Sequence, residues 1–315
     1  MSSVPPHERE PDLPAASERS TAEQSAAQGE PETAERALER ATAELSAGRE
    51  VAAAAIFSQL AERGNVQAQA MLGYLLERGQ GVERDPAAAR QWYDRAAGGG
   101  DAVARYNLAA MLLEARGGRR DVERAVELCR LSAEQGLVQA QLLLARLLCI
   151  GRGLRPDAAA ARTWLQRAAE QGSAEAELGL GVLYERGVGV ARDAAKAAEH
   201  YARACDGGNV QATFNLALAL ESGSGVERDE GRARELYRRA ADAGIPQAQH
   251  NLALMLGEGR GGQRDSLRAY VYAALAADAG VAHAAALRER IARSLRLGEL
   301  ARARALLEQT IKRPS

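Results

Sequence analysis

Aromatic residues are scarce: they make up 4% of 315 residues, while AVILMFWYC residues reach 46%, so the apolar content is mostly Ala and Leu. That composition suits closely packed helices and argues against a strand-rich fold. Cysteine is equally sparse. Cys129, Cys149 and Cys205 are odd in number and form no C-x-x-C pair, which argues against a disulfide framework or a zinc site. Reduced, buried thiols are expected. His7, His200, His250 and His283 show no metal-ligand spacing. Only two of the 41 basic residues are Lys, Lys196 and Lys312, an Arg bias that points to a GC-rich bacterial genome. Net charge is -1 from 41 basic and 42 acidic residues, so no global basic field draws nucleic acid or an anionic membrane. Long apolar runs are missing too. Pro5, Pro6, Pro11 and Pro14 interrupt the first segment, and Tyr270 to Leu287 is mostly Ala with Asp278, Gly280 and His283 inside it. Neither a signal peptide nor a membrane-spanning helix is expected, and a cytoplasmic location is the default.

What the sequence does have is an internal repeat. Gly64, Gly100, Gly136, Gly172, Gly208, Gly244 and Gly280 recur every 36 residues. The same step relates Ala68 to Ala104 and onward to Ala284, Leu72 onward to Leu252, Gly81 onward to Gly261, and Asp85 onward to Asp265. Each unit reads as a helical hairpin. Val66 to Arg78 carries Ala68, Met71, Leu72 and Leu75 at helical spacing, and Gly79-Gln80-Gly81-Val82 then breaks the helix. Asp85 before Pro86 has the form of an N-cap with Pro at the first helical position, and a second helix runs to about Ala97 before Gly100. Small residues, Gly73 and Ala89 with its equivalents to Ala269, mark close helix approach. Trp92, Tyr93, Trp164, Tyr201, Tyr237 and Tyr272 are expected to fill the space between units. One hairpin cannot bury such a face, so stability must come from stacking.

The ends diverge as caps do. Residues 1–32 hold seven acids against Arg9 and Arg19, a net -5, and read as a disordered acidic tail. Residues 33–65 form a divergent opening hairpin, Glu35 to Ser46 and Glu50 to Arg63. Residues 66–281 hold six repeats. Residues 282–315 read as capping helices, Ala284 to Ser294 and Glu299 to Lys312, with Arg288 in place of the repeated Leu.

This pattern resembles the Sel-one-like repeats, the longer-looped relatives of tetratricopeptide repeats. The likeness is clearest from Ala68 to Ala97 and in Leu178-Gly-Leu-Gly-Val-Leu-Tyr-Glu-Arg-Gly-Val-Gly-Val-Ala-Arg-Asp193. The resemblance implies an all-α, right-handed α-solenoid of helix-turn-helix repeats with a 36-residue period. It also implies a non-enzymatic scaffold or adaptor that binds a protein or peptide segment in a groove lined by the first, or A, helices. Exported, cysteine-rich members of the family are associated with β-lactam binding or hydrolysis. This chain departs from them in lacking paired cysteines and any S-x-x-K motif, so a β-lactam or cell-wall-peptide hydrolase is the alternative of lower rank. Self-assembly through an end of the array is a third reading.

Asn107, Asn215 and Asn251 share one repeat position, each preceded by Tyr106, Phe214 or His250. Similarity to tetratricopeptide grooves implies that such an Asn pairs with the backbone of an extended peptide, since an amide both donates and accepts. A bond to a neighbouring loop carries equal weight. Helical phase places Tyr74, Arg146, Gln211 and Gln247 on or near the same surface, and Arg and aromatic anchors carry much of the energy of such interfaces. The G-x-G-x-x-G from Gly257 to Gly262 follows a helix rather than a strand, so no dinucleotide and no other cofactor is expected. The recurring Arg-Asp pairs are explained by the capping role of Asp.

Overall fold

The computed structural model describes residues 33–311, and the acidic tail expected over 1–32 lies outside them. Among the described residues there are sixteen helices and no strands, so the fold is all-α. The chain divides into two compact units, residues 1–96 and 97–315.

In the first unit, α1 (Ala34–Ser46) and α2 (Glu50–Glu62) form the opening hairpin, and α2 packs on α3 (Val66–Arg78). Thr33 caps α1 by accepting from the Arg36 amide. Phe57, Leu60, Leu72 and Leu75 are buried together, with Trp92 of α4 (Pro86–Gly98) half-buried against them. The second unit continues with α5 (Ala102–Glu114), α6 (Val122–Glu134), α7 (Val138–Ile150), α8 (Ala158–Glu170), α9 (Ala174–Arg186) and α10 (Ala194–Asp206). It ends with α11 (Val210–Ser222), α12 (Glu230–Asp242), α13 (Pro246–Glu258), α14 (Ser266–Asp278), α15 (Ala284–Ser294) and α16 (Leu297–Ile311). From α6 to α15 each helix packs on the one before it, which is the solenoid arrangement, and α16 also packs on α14.

Every helix from α3 to α14 has 13 residues, about 20 Å at 1.5 Å per residue. Their ends are set chemically. Asp121, Asp157, Asp193, Asp229 and Asp265 each cap a second, or B, helix by accepting from the amide three residues on, and Asp85 accepts from Ala87 and Ala88. Such a cap contributes about 1 kcal/mol. The A helices end in a left-handed residue, Gly in five repeats and Ala115 (φ 58°) in the remaining one. The second loop glycine answers to packing as well as conformation. At Gly225 (φ +73°) a Cβ would lie 2.1 Å from the carbonyl of Ala194, at the start of the preceding B helix.

The B-helix alanines Ala89, Ala125, Ala161, Ala197, Ala233 and Ala269 are all buried, as their spacing predicts. The large residues pack to different depths. Tyr93, Tyr201 and Tyr237 are buried, whereas Trp92, Trp164 and Tyr272 stay half-buried. Trp92 and Trp164 pack on the core, and Arg95 and Arg167, one helical turn on, lie 4.4 and 4.6 Å from their rings. The expectation of three buried thiols needs correction. All three cysteines are free, and Cys129 and Cys205 are buried, but Cys149 faces solvent one residue from the end of α7. The last helix starts two residues earlier than predicted, at Leu297, because Glu299 accepts from the Arg296 amide and closes the first turn there.

Candidate functional site

The residues predicted to line the A-helix surface fall into two kinds. Arg146, Gln211 and Gln247 are exposed, and Tyr74, in the first unit, is 36% exposed with the Arg78 guanidinium 5.7 Å from its ring. Tyr106, Phe214, His250 and the three asparagines are half-buried. The fifth residues of α5, α7, α9, α11 and α13 are Tyr106, Leu142, Leu178, Phe214 and His250, and none is fully covered. Four residues on, in α9, α11 and α13, stand Val182, Leu218 and Leu254, with Leu218 39% exposed. Residues four apart on a helix share a face, so these two positions form one partly exposed apolar stripe.

Two of the asparagines face buried tyrosines of the preceding B helix. The Asn215 amide lies beside the Tyr201 hydroxyl, and Asn251 beside that of Tyr237, each acting to lower the phenol's pKa against larger raising effects. Tyr201 in turn donates to Glu185 (3.0 Å) and Tyr237 to Glu221 (2.6 Å), while Gln211 Nε2 donates to Asn215 Oδ1 (3.2 Å). Arg260 closes the second chain by pairing with Glu221 at 2.6 Å. In the first unit Tyr93 donates to Glu77 (3.1 Å). Burial, then the adjacent carboxylates, push the Tyr201 and Tyr237 phenols well above their ordinary range. These links join one repeat to the next within the second unit.

The signal for this relay is present in the sequence. Asn follows only those repeats that carry both the Glu and the Tyr: Asn107 follows Glu77 and Tyr93, Asn215 follows Glu185 and Tyr201, and Asn251 follows Glu221 and Tyr237. Where the pair is replaced by Leu113 and Cys129, or by Cys149 and Leu165, the next repeat has Leu143 or Gly179 instead. Gly179 confirms the geometry, since a Cβ there would lie 3.0 Å from Leu165.

A second polar row went unpredicted. The fourth residue of an A helix reaches back to the end of the B helix before it. Gln69 donates to Ala61 O, Arg105 to Ala97 O, Gln141 to Ala133 O and Gln249 to Ala241 O, all at 3.2–3.3 Å. These side chains satisfy carbonyls that a helix end leaves open. Glu177, at the same position, instead takes His200 (2.6 Å) and Arg203 (3.0 Å).

His250 Nδ1 is buried without a hydrogen bond, and burial first, then nearby His283, lower its pKa. Phe214 packs on Tyr237 with ring centroids 5.9 Å apart. Among the described residues no group of three or more His, Cys, Asp or Glu side chains could hold a metal, and no helix is long and apolar enough to cross a membrane.

The Sel1 repeat family model matches residues 66–101, 102–137, 138–173, 174–209, 210–245 and 246–281. These boundaries coincide with the hairpins described above. Two solved structures give the scale of the likeness. A Sel1 repeat protein from Oxalobacter formigenes is 28% identical, with 76% of this chain and 96% of that one covered and a TM-score of 0.69. The protein c5321, a protective antigen of uropathogenic Escherichia coli displaying an SLR fold, is 30% identical over 83% of this chain and 64% of its own, with a TM-score of 0.55. No match was found among curated proteins.

Proposed function

The chain belongs to the Sel1 repeat family, whose members are generally protein-interaction scaffolds, and from that premise we propose that it is a non-enzymatic adaptor that holds a segment of another protein along its A helices. The observation that carries this reading is the apolar stripe. Leu142, Leu178 and Phe214 pack on the core yet stay partly exposed, and Leu218 is 39% exposed, so consecutive A helices present apolar area on one face. Arg146, Gln211 and Gln247 flank the stripe with donors that a peptide backbone or carboxylate accepts. Asn107, Asn215 and Asn251 belong to this surface as supports. Asn215 and Asn251 sit beside the tyrosine hydroxyls of the preceding repeat and retain amide capacity for a ligand. Tyr74 and Tyr106 supply aromatic contact area. The partner is a protein or peptide rather than nucleic acid, and the expected setting is the bacterial cytoplasm. Nothing among the described side chains favours the hydrolase alternative.

The experiment is capture from the native cell with the wild-type chain and an Arg146→Glu, Leu218→Glu variant. Both residues are exposed, so circular dichroism is expected to be unchanged. A partner held by wild type and lost by the variant supports the reading, and equal capture by both contradicts it.

A further inference from the structure

The last repeat contains a cavity that is smaller at the equivalent place in the fourth repeat, where a side chain takes up part of the space. Near the end of α9, Glu185 occupies the twelfth position of the A helix and donates no proton but accepts one from Tyr201. A cavity of about 160 Å³ remains there, bordered by Glu185, Arg192, Tyr201 and Leu218. In the next repeat Glu221 holds the same position and is ion-paired to Arg260. In the sixth repeat this position is Gly257, and the corresponding cavity grows to about 250 Å³. The carboxylate is gone, but the cationic surroundings remain and increase. Arg264 stands where Arg192 stood. Arg290 of α15 takes the place of Leu218.

Both guanidiniums border the cavity, and among the described residues neither is ion-paired to a carboxylate. Arg264 Nε donates only to Ser266 Oγ, at 3.2 Å. Glu258, also at the rim, has its charge engaged by Arg260 at 2.9 Å. Leu254 and Ile291 give the cavity an apolar wall. The chain supplies its own acid at this place in three repeats, as Glu77, Glu185 and Glu221, and fills it with Leu113 or Cys149 in two; only the sixth repeat leaves it empty with Gly257 and adds an arginine, which presents a site for an acid from outside. Guanidinium pairs recognise carboxylates with charge-assisted, directional bonds.

We infer that the cavity between α13, α14 and α15 binds a carboxylate side chain, Asp or Glu, next to an apolar residue of a partner segment. The site rests on the adaptor reading and narrows the partner to one with an acidic, partly apolar motif.

The test uses the full chain and a C-terminally amidated, N-acetylated hexapeptide alternating Leu and Glu, followed by isothermal calorimetry. Its Leu-Gln counterpart is expected to bind at least tenfold more weakly. Arg290→Glu is expected to lose at least tenfold in affinity. Gly257→Leu is expected to do the same by filling the cavity with the side chain that Leu113 carries at this position, and to keep the helix intact. Equal binding of the Gln peptide, no binding of the Glu peptide, unchanged affinity in both variants, or displacement by equimolar inorganic phosphate would each overturn the inference. If the cellular partner is lost by the Leu218→Glu chain but kept by both cavity variants, the cavity assignment fails while the adaptor reading stands.

Discussion

Replacing Tyr237 by Phe removes one oxygen from the interior and leaves the ring in place, so the change isolates the relay from core packing. That oxygen donates to Glu221 at 2.6 Å, and the Asn251 amide lies beside it. A hydrogen bond to a charged group is worth about 1.5–3 kcal/mol. Here the loss is smaller, because Glu221 keeps Arg260 at 2.6 Å and its side chain is 23% exposed, so water reaches it. Asn251 is half-buried beside the same oxygen. The expected cost is about 1–2 kcal/mol. Tyr201→Phe is expected to cost less, since Glu185 is exposed. Urea unfolding measures the change, and hydrogen exchange over α12 and α13 locates it, because repeat stability is a sum of local and nearest-neighbour contributions. A double-mutant cycle with Glu221→Gln gives the coupling, expected at 0.5 kcal/mol or more, about the floor for residues in one network. A cost under about 0.3 kcal/mol together with zero coupling would refute the account of the relay.

Three further outcomes follow from the same structure. Ala115→Gly relieves a left-handed conformation at φ 58° and is expected to stabilise by about 0.5–1 kcal/mol in urea, whereas Gly79→Ala is expected to destabilise. Cys149 is exposed, so one thiol is expected to react quickly with an aromatic disulfide reagent at pH 8. Cys205 is buried, and burial pushes the Cys129 thiol up to about 12, so these two are expected to react only on unfolding. Tyr201, Tyr237 and Tyr272 have phenol pKa values raised by burial and by neighbouring carboxylates. Their contribution is fully present below the unfolded value of about 10 and is lost as pH rises beyond it, so alkaline unfolding and the rise of tyrosinate absorbance are expected to coincide.

The fold was legible because its determinants are local and repeat in phase. Capping Asp, left-handed Gly and buried Ala each act within one hairpin, and their spacing of 36 residues made six units visible at once. The site was less so. Asn251 was read from its neighbours in sequence, His250 and Leu252, while its partner Tyr237 lies 14 residues earlier on another helix. Only the joint pattern of Glu, Tyr and Asn across repeats carries that link. Periodicity places Trp92 and Trp164 against the core, where they pack half-buried, but it does not single out Arg95 and Arg167, which lie over the rings one turn on. The position-four glutamines were missed because a buried Gln looks polar in sequence and its acceptor is a carbonyl of the preceding helix.

The most direct test of the adaptor account is a photocrosslinking scan in the native cell. A benzophenone side chain is placed at Arg146 or Leu218 on the A helices and, separately, at Leu131 or Lys196 on the B helices, all four exposed. The account predicts adducts to one partner from the A-helix positions alone. Adducts only from the B-helix positions, or the same adducts from all four, would contradict it.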